Sequence, residues 1–232
     1  MITVVIPAYN ESGNLVRAVK KLTQLLNRQK YKYEILISED GSTDKTFEIA
    51  ARLARKNPRI KVFHSDKRRG KGGAIKFAFK KSRGNILIFS DADLFNFVSS
   101  FPVFVKKLEG DCDVCIGSRY LPSSKSHRSV QRFFLSKSYN FLIKLLFNTN
   151  ISDFQCGIKG FKKKTLPTIL ATKNNGFFWD TEILLMAEKK KLKISEIPIS
   201  WSENKKSNVN LSKDSFQFFF NLIKLRLDFS RD

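Results

Sequence analysis

Cysteine and long apolar runs are scarce in this sequence, and each scarcity excludes a class of protein. Three cysteines among 232 residues are too few, and odd in number, for a disulfide framework. No uninterrupted apolar run reaches the ~18 residues that a membrane-spanning helix needs. The first residues lack a basic segment and soon meet Pro7, so they predict no signal peptide. We therefore expect a protein of a reducing, cytoplasmic compartment that does not span a membrane.

Acidic side chains are scarce relative to basic ones. The chain has 43 Lys and Arg residues against 21 Asp and Glu residues, which gives a formal net charge of +22. A charge of this size predicts an anionic partner, which is a nucleic acid, a phosphorylated ligand or an acidic membrane surface. A hydrophobic content of 42% excludes a disordered chain, and the length favours a single domain over residues 1–232.

Two of the cysteines, Cys112 and Cys115, form a C-x-x-C pattern of the kind found in zinc and redox sites. The pattern lies in a β-rich run, where residues three apart face opposite sides of the strand. We interpret both as reduced structural thiols. His64 and His127 have no partner at the spacing of a metal site or a catalytic triad, and we assign them no role.

Four β-rich runs alternate with helical patterns in the first half of the chain. The runs cover residues 2–7, 34–38, 60–64 and 85–89. Repeated βα units predict an α/β fold with a doubly wound, mostly parallel sheet and flanking helices. Ligands of such sheets bind beyond the carboxyl ends of the strands, so the polar segments after the strands are where we look for chemistry.

The second half alternates less regularly. It predicts helices at 99–108, 130–147 and 180–190, strands at 114–118, 155–161 and 194–201, and a final helix from about residue 212. The polar segment 205–210 predicts a mobile loop. Helix 130–147 and the final helix combine Phe and Leu with Lys and Arg. This composition is typical of helices on a membrane surface, and also of helices that pack on the protein's own core.

The segments after the first two strands favour a nucleoside site. The first is Pro7-Ala8-Tyr9-Asn10-Glu11, in which the ring would stack on a nucleoside and the carboxylate would accept from its ribose or base. The second begins with Glu39-Asp40-Gly41, and Asp40 is placed to accept a hydrogen bond from a base. A capped strand-to-helix turn is the alternative for each, and we prefer it for Ser42, Thr43 and Asp44.

Two carboxylates, Asp91 and Asp93, follow the fourth strand. They would repel each other unless a positive group neutralised them, and a hard divalent cation such as Mg²⁺ or Mn²⁺ prefers such oxygen ligands. The alternative is a D-x-D pattern that arises by chance.

A basic, glycine-rich turn, Lys67-Arg68-Arg69-Gly70-Lys71-Gly72-Gly73, precedes the third predicted helix. Its backbone amides would cradle phosphate, with the helix N-terminus helping. It does not match the P-loop pattern. The alternative is a solvated basic loop.

In chain order, with the glycine-rich turn before Asp91 and Asp93, the four motifs resemble the inverting glycosyltransferases of the GT-A fold. Five later segments narrow the family, and they are Gly117-Ser118-Arg119, Arg128-Ser129, residues 153–159, residues 179–182 and residues 196–201. They resemble the dolichyl-phosphate β-glucosyltransferases, with dolichyl-phosphate mannosyltransferases as close relatives. Two departures are the lack of an N-terminal anchor and Lys205-Lys206-Ser207-Asn208 in place of a Gly-Ser-Lys loop.

The resemblance implies a metal-dependent transfer of a hexose, glucose favoured, from a nucleoside-diphosphate sugar to dolichyl or polyprenyl phosphate. Residues 1–95 would bind the nucleotide sugar and residues 96–232 the acceptor. The implied donor contacts are Pro7, Ala8, Tyr9, Glu11, Asp40, Lys71, Asp91 and Asp93, the last two also binding the metal. The implied acceptor or sugar contacts are Arg119, Arg128, Asp153, Gln155, Trp179 and Asp180, and we count Asp91, Asp93 and Arg119 as catalytic.

Three other functions stay open at this point. They are mannosyl transfer from GDP-mannose, transfer to a glycan hydroxyl with Asp153 or Asp180 as base, and nucleic-acid binding. The 22 Phe residues lie largely in helical stripes with aliphatic residues, so we expect no nucleic-acid partner. A lipid-borne acceptor and a positive charge instead predict peripheral attachment to an anionic membrane through the two amphipathic helices.

Overall fold

The computed structural model describes residues 1–92, 99–127, 129–202 and 211–231. A seven-stranded sheet forms its centre, with strand order β3-β2-β1-β4-β7-β5-β8. The strands are β1 (Ile2–Ala8), β2 (Tyr33–Glu39), β3 (Ile60–Phe63), β4 (Ile86–Ser90), β5 (Val114–Ser118), β7 (Ile158–Lys162) and β8 (Ile194–Pro198). A separate pair, β6 (Lys125–His127) and β9 (Ser200–Ser202), is parallel.

Helices cover both faces of the sheet. They are α1 (Leu15–Arg28), α2 (Thr46–Lys56), α3 (Lys71–Lys80), α4 (Phe101–Glu109), α5 (Val130–Phe147), α6 (Leu166–Ala171), α7 (Trp179–Lys189) and α8 (Leu211–Arg231). Helices α1, α2 and α4 pack on one face, and α3, α6 and α7 pack on the other, where α5 and α8 form an outer layer. The sheet side chains alternate between the faces: Val4 and Ile6 belong to the first core, and Val5 belongs to the second.

Helix α1 shows how the sequence specifies these layers. Its buried residues are Leu15, Val19, Leu22, Leu25 and Leu26, which recur at helical spacing and form one apolar face. Burying a face of this kind drives helix docking, because each buried Leu or Val side chain contributes roughly 1.5–3 kcal/mol.

The predicted α/β architecture is confirmed, but the sheet is not entirely parallel. Strand β7 runs antiparallel to both β4 and β5, whereas β1, β2, β3 and β4 are parallel neighbours. The predicted strand 194–201 is divided into β8 and β9, and β7 is shorter than the predicted 155–161. Both halves of the chain supply strands to the one sheet; the division near residue 95 stays a prediction.

The two cysteines of the C-x-x-C pattern are free and buried, in agreement with the sequence analysis. The expectation that they face opposite sides is wrong, because β5 begins only at Val114 and Cys112 lies in the preceding turn. A hydrogen bond between the two thiols lowers the pKa of Cys112 and raises that of Cys115. Cys112 also donates to the Lys107 carbonyl at 3.0 Å.

Within the part of the chain that the structure describes, no helix is long and apolar enough to cross a membrane.

Candidate active site

Asp40 lies where β2 ends and holds the glycine-rich turn against the sheet. It is almost fully buried, and its Oδ1 accepts from the Arg69 amide at 2.7 Å while Oδ2 accepts from the Gly70 amide at 3.0 Å. Gly70 has a positive φ of 81°, and a Cβ there would lie 2.4 Å from the Asn175 carbonyl oxygen. Only glycine fits this turn.

We expected the backbone amides of this turn to bind phosphate. For three of them this expectation is wrong, because they donate to groups of the protein. The Arg69 and Gly70 amides are used by Asp40, and the Gly73 amide donates to the Asn175 carbonyl at 3.0 Å. The turn instead positions side chains at the edge of the sheet.

Tyr9 follows β1 and meets Arg68 from the same turn. The Arg68 guanidinium lies over the Tyr9 ring, 3.6 Å from its centroid. Pro7 and Ala8 lie within β1, and the Ala8 carbonyl accepts from the Asp40 amide at 2.9 Å. The first two loops are thus joined at the place where the sequence predicts a nucleoside site.

The Glu11 backbone and side chain brace the start of α1. Its amide donates to Thr46 Oγ1 at 2.8 Å, and its carboxylate accepts from Asn14 Nδ2 at 2.8 Å. Asn10, with a φ of 56°, accepts from the Thr43 amide through its side chain. The predicted contact of Glu11 with the ribose or base of a nucleoside stays a prediction.

Asp91 follows β4 and faces a cluster of charged groups. Lys71 Nζ lies 3.0 Å from Asp91 Oδ1 and 2.9 Å from Asp180 Oδ2. Lys159 Nζ lies 2.5 Å from Asp180 Oδ1. Burial opposes the positive charge of Lys71, but the carboxylates of Asp180 and Asp91 have the larger effect and raise the pKa of Lys71. Burial also opposes the negative charge of Asp180, but Lys159 and Lys71 have the larger effect and lower the pKa of Asp180.

Asp91 presents the carboxylate oxygens that Mg²⁺ and Mn²⁺ prefer, and its side chain is one-third exposed, so the residue fits a metal site. Asp93 lies outside the described residues. Among the residues that are described, no group of three or more His, Cys, Asp or Glu side chains would hold a metal alone. A cation bound at Asp91 would therefore need further oxygen ligands beside this carboxylate.

Arg119 and Asp153 form a buried bidentate pair beyond β5. Arg119 Nε lies 2.7 Å from Asp153 Oδ2, Nη2 lies 2.8 Å from Oδ1, and the Arg119 amide also donates to Oδ2 at 3.0 Å. Burial opposes the Arg119 charge, but Asp153 outweighs it and raises the pKa of Arg119. Both residues were predicted as acceptor or sugar contacts; Arg128, their predicted companion, lies outside the described residues.

Three predicted acceptor residues meet protein partners. Gln155 Nε2 donates to Thr181 Oγ1 at 2.8 Å. Trp179 is fully buried against Phe89, and its Cβ would lie 2.4 Å from a Cβ at Gly72, which makes it a core residue rather than an open surface. Asp180 is 1% exposed, with one oxygen on each lysine of the cluster.

Lys159 and His64 also lie at this edge of the sheet, and neither was among the predicted site residues. A lysine inside the apolar run of β7 was the available signal for Lys159, since buried lysines need partners. His64, to which the sequence analysis assigns no role, follows β3 at the same edge of the sheet and has two partners: its Nδ1 contacts the buried Glu39, and its Nε2 lies 3.1 Å from Asp66. Glu39 in turn accepts from the Ser42 amide at 2.6 Å.

The His64 pair predicts a pH-dependent contribution to stability. The hydrogen bond to Glu39 raises the pKa of His64 more than burial lowers it. The pair therefore stabilises the fold fully below the unfolded-state pKa of about 6.5, and the effect is lost as pH rises through the higher folded-state pKa. His64→Gln should cost about 0.5 kcal/mol near pH 5.5 and less near pH 9, since His64 is partly exposed and screened. Urea unfolding of both proteins across this range checks the sign; a constant difference would contradict it.

The sheet topology, with carboxylates and lysines gathered at the carboxyl edge of its parallel strands, is that of the GT-A glycosyltransferase fold. Among solved structures, glucosyl-3-phosphoglycerate synthase from Mycobacterium tuberculosis, in complex with Mn²⁺, UDP and phosphoglyceric acid, superposes with a TM-score of 0.76 at 18% identity, covering 97% of this chain and 78% of that one. At this identity the likeness shows the fold alone.

The chain belongs to glycosyl transferase family 2, whose family model matches residues 3–170. It is 34% identical to glycosyltransferase AglD of Haloferax volcanii over 92% of this chain, but spans only 35% of that relative. It is 31% identical to the dolichyl-phosphate beta-glucosyltransferase of Saccharomyces cerevisiae, covering 97% of this chain and 74% of the relative. It is 32% identical to the dolichyl-phosphate beta-glucosyltransferase of Homo sapiens, and this match covers 87% of this chain and 67% of the relative.

Proposed function

We propose that this protein transfers glucose from UDP-glucose to dolichyl phosphate or another polyprenyl phosphate. The observation that carries the proposal is the similarity to the yeast dolichyl-phosphate beta-glucosyltransferase, at 31% identity over 97% of this chain. It extends from the strands around Asp40 and Asp91 to the acceptor half, so it concerns both substrates.

On the donor side, the joined loops after β1 and β2 bind the nucleoside. Tyr9 offers a ring and Glu11 a carboxylate, and Lys71 lies beside Asp91 at the next strand end. Asp40, whose oxygens accept from the Arg69 and Gly70 amides, holds the glycine-rich turn beside the nucleoside. Asp91 together with Asp93 would hold Mg²⁺ or Mn²⁺ on the donor diphosphate. When bound, the cation neutralises the charge of the leaving nucleoside diphosphate.

On the acceptor side, no general base is required. A phosphate monoester has a second pKa near 6 and is already largely ionised at pH 7. Arg119 and Arg128 bind and orient its oxygens, and Asp153 keeps the Arg119 guanidinium in a fixed plane. The protein's task is therefore to position the phosphate, not to remove a proton from it.

A panel of donors and acceptors tests the proposal. We expect turnover with UDP-glucose and dolichyl phosphate in Mn²⁺, and a product that releases glucose under mild acid. The panel includes GDP-mannose as second donor and a non-phosphorylated polyprenol and a glycan as acceptors. Equal turnover with the polyprenol or the glycan would overturn the lipid-phosphate assignment, and turnover with GDP-mannose alone would overturn the sugar.

A lipid-borne acceptor also requires the protein to reach a membrane, and we propose that α5 and α8 form the contact surface. The two helices pack together through Tyr139 and Phe218, whose ring centroids are 5.5 Å apart. Their outer faces leave large apolar side chains exposed, namely Val130, Phe134, Leu135, Phe141, Leu145, Phe219, Phe220, Ile223 and Leu227. Lys137, Lys224 and Arg226 accompany them, so the surface suits anionic head groups.

Flotation with liposomes tests this surface. Phe219 and Phe220 are 46% and 54% exposed, whereas Leu222 and Leu225 are buried. Changing both phenylalanines to Ser should weaken binding to phosphatidylserine vesicles about tenfold, because two rings leave the interface. Salt should weaken wild-type binding through screening.

The matched control changes two exposed apolar residues on the opposite face of the sheet, Val16→Ser with Val103→Ser, and should bind vesicles as the wild type does. Equal loss in both double variants, or no flotation of the wild type at low salt, would contradict the assigned surface.

A further inference from the structure

The charged cluster at the end of β4 runs from the protein core to the site in a fixed order. Lys159 is the innermost group, with a side chain 0% exposed, followed by Asp180 at 1%, Lys71 at 11% and Asp91 at 33%. Positive and negative groups alternate along this row, so its formal charge is zero. Burial of Lys159 is tolerated because its ammonium donates to Asp180 Oδ1 at 2.5 Å and to the Cys156 carbonyl at 2.9 Å.

We propose that Lys159 and Asp180 are positioning residues for Lys71, and that together they fix its ammonium group as a cation for the diphosphate of the donor. The inference rests on the proposed function, since it takes a nucleoside-diphosphate sugar as the donor. Neither Lys159 nor Asp180 contacts the donor in this account; both act through Lys71.

The role of Asp180 follows from its two oxygens. One holds Lys159, and the other holds Lys71 at 2.9 Å. Lys71 therefore keeps a buried partner on its inner side even when Asp91, its outer partner, turns to another ligand. A lysine with only the one-third-exposed Asp91 as partner would be free to follow that carboxylate.

The role of Lys159 follows from charge balance. With Lys159 present, the Asp180 charge is already neutralised from the core side, so the charge of Lys71 remains available toward the site. Without Lys159, the buried carboxylate of Asp180 would have Lys71 as its remaining cation among the described residues, and it would draw the ammonium inward. Breaking the glycosidic bond places negative charge on the leaving diphosphate, which a fixed ammonium stabilises without having to reorganise.

Packing supports a fixed position for Lys71. The residue begins α3, and Gly72 next to it lies so close to Trp179 that a Cβ would come within 2.4 Å of the Trp179 Cβ. Since Trp179 immediately precedes Asp180, the start of α3 and the start of α7 are held together at the cluster. The contact fixes the backbone on both sides of the Lys71–Asp180 ion pair.

The experiment compares the affinities of UDP and UMP, measured by calorimetry without turnover. Lys159→Met should weaken UDP binding about tenfold, the loss of one charge-assisted contact, while UMP binding stays within twofold. A merely structural role would weaken both nucleotides, because both use the nucleoside loops. The matched control is Lys162→Met, a half-buried lysine of the same strand that pairs with the opposite end of β4 and donates to the Gly110 carbonyl, and it should leave both affinities unchanged.

A double-mutant cycle tests whether Lys159 acts through Lys71. Lys71→Met alone should lower UDP affinity about tenfold or more, and adding Lys159→Met should lower it no further. Additive losses would overturn the proposal, as would a Lys159→Met variant that behaves like Lys162→Met. If Lys159→Met does not fold, Asp180→Asn replaces it in the same cycle, with the same expected result.

The wild type separates this inference from the proposed function. A panel of nucleoside diphosphates identifies which one it binds, and the cycle is then run with that diphosphate and its monophosphate. If the wild type binds GDP more tightly than UDP, the UDP assignment is wrong. The positioning role of Lys159 and Asp180 is tested by the double-mutant cycle alone. A wild type with no preference for any diphosphate over its monophosphate overturns both.

Discussion

Asp153→Asn should lower the free energy of unfolding by about 3–5 kcal/mol, because it leaves the Arg119 guanidinium buried without its counter-charge. Asp153 is fully buried and Arg119 is 13% exposed, so water does not compensate for the lost contacts. Three hydrogen bonds from Arg119 end on this one carboxylate. Denaturant unfolding of wild type and variant gives the difference.

The control is an exposed ion pair in the same protein. Lys173 Nζ lies 2.8 Å from Asp228 Oδ2, but its side chain is 77% exposed, so Lys173→Met should cost less than about 1 kcal/mol. A second variant, Arg119→Met with Asp153→Leu, removes both charges and should recover most of the lost stability. An Asp153→Asn variant as stable as Lys173→Met would refute the account of this pair.

Much of the fold was predictable because local patterns carry it. The helix at 130–147 matches the apolar spacing of its sequence, and the four βα units follow from alternation of short apolar runs with helical stripes. The direction of β7 was not predictable in this way. The apolar pattern of residues 155–161 indicates a strand but not its direction. The direction depends on how the chain connects this strand to the rest of the second half, and the strand is antiparallel to both neighbours.

The candidate site was predictable in its elements but not in its contacts. Asp40 and Asp91 each follow a predicted strand, and Lys71 lies just before a predicted helix. The sequence therefore predicts that all three lie at the carboxyl edge of the sheet. It did not show that Asp40 would use both oxygens on the glycine-rich turn, because that contact joins residues about thirty positions apart. The same holds for Arg119 with Asp153 and for Lys159 with Asp180.

The amphipathic helices show a similar limit. The Phe and Leu residues of α8 form a continuous apolar pattern in sequence, yet Phe218 packs on Tyr139 and Phe178, whereas Phe219 and Phe220 are exposed. The side of such a helix that faces the core depends on the helix against which it packs. The sequence of α8 alone does not predict that it packs on α5.

Asp91→Asn should lower turnover with UDP-glucose and dolichyl phosphate by about 10³-fold, the range expected when a group that neutralises developing charge is removed. Its effect on stability should be small. Asp91 is one-third exposed, and Lys71 retains Asp180 as a partner at 2.9 Å, so the loss of the Lys71–Asp91 pair should cost less than about 1 kcal/mol. This separation of activity from stability distinguishes Asp91 from Asp153.

Metal removal gives the independent measurement. Wild-type turnover should vanish in excess EDTA and return on addition of Mn²⁺ or Mg²⁺, while Asp91→Asn should regain little activity at any metal concentration, because a neutral amide binds hard cations weakly. Electron paramagnetic resonance of Mn²⁺ in the presence of UDP should show weaker binding to the variant than to wild type. Full wild-type activity in EDTA would remove the metal from the mechanism. Metal-dependent activity with Asp91→Asn equal to wild type would leave Asp93 as the ligand that matters.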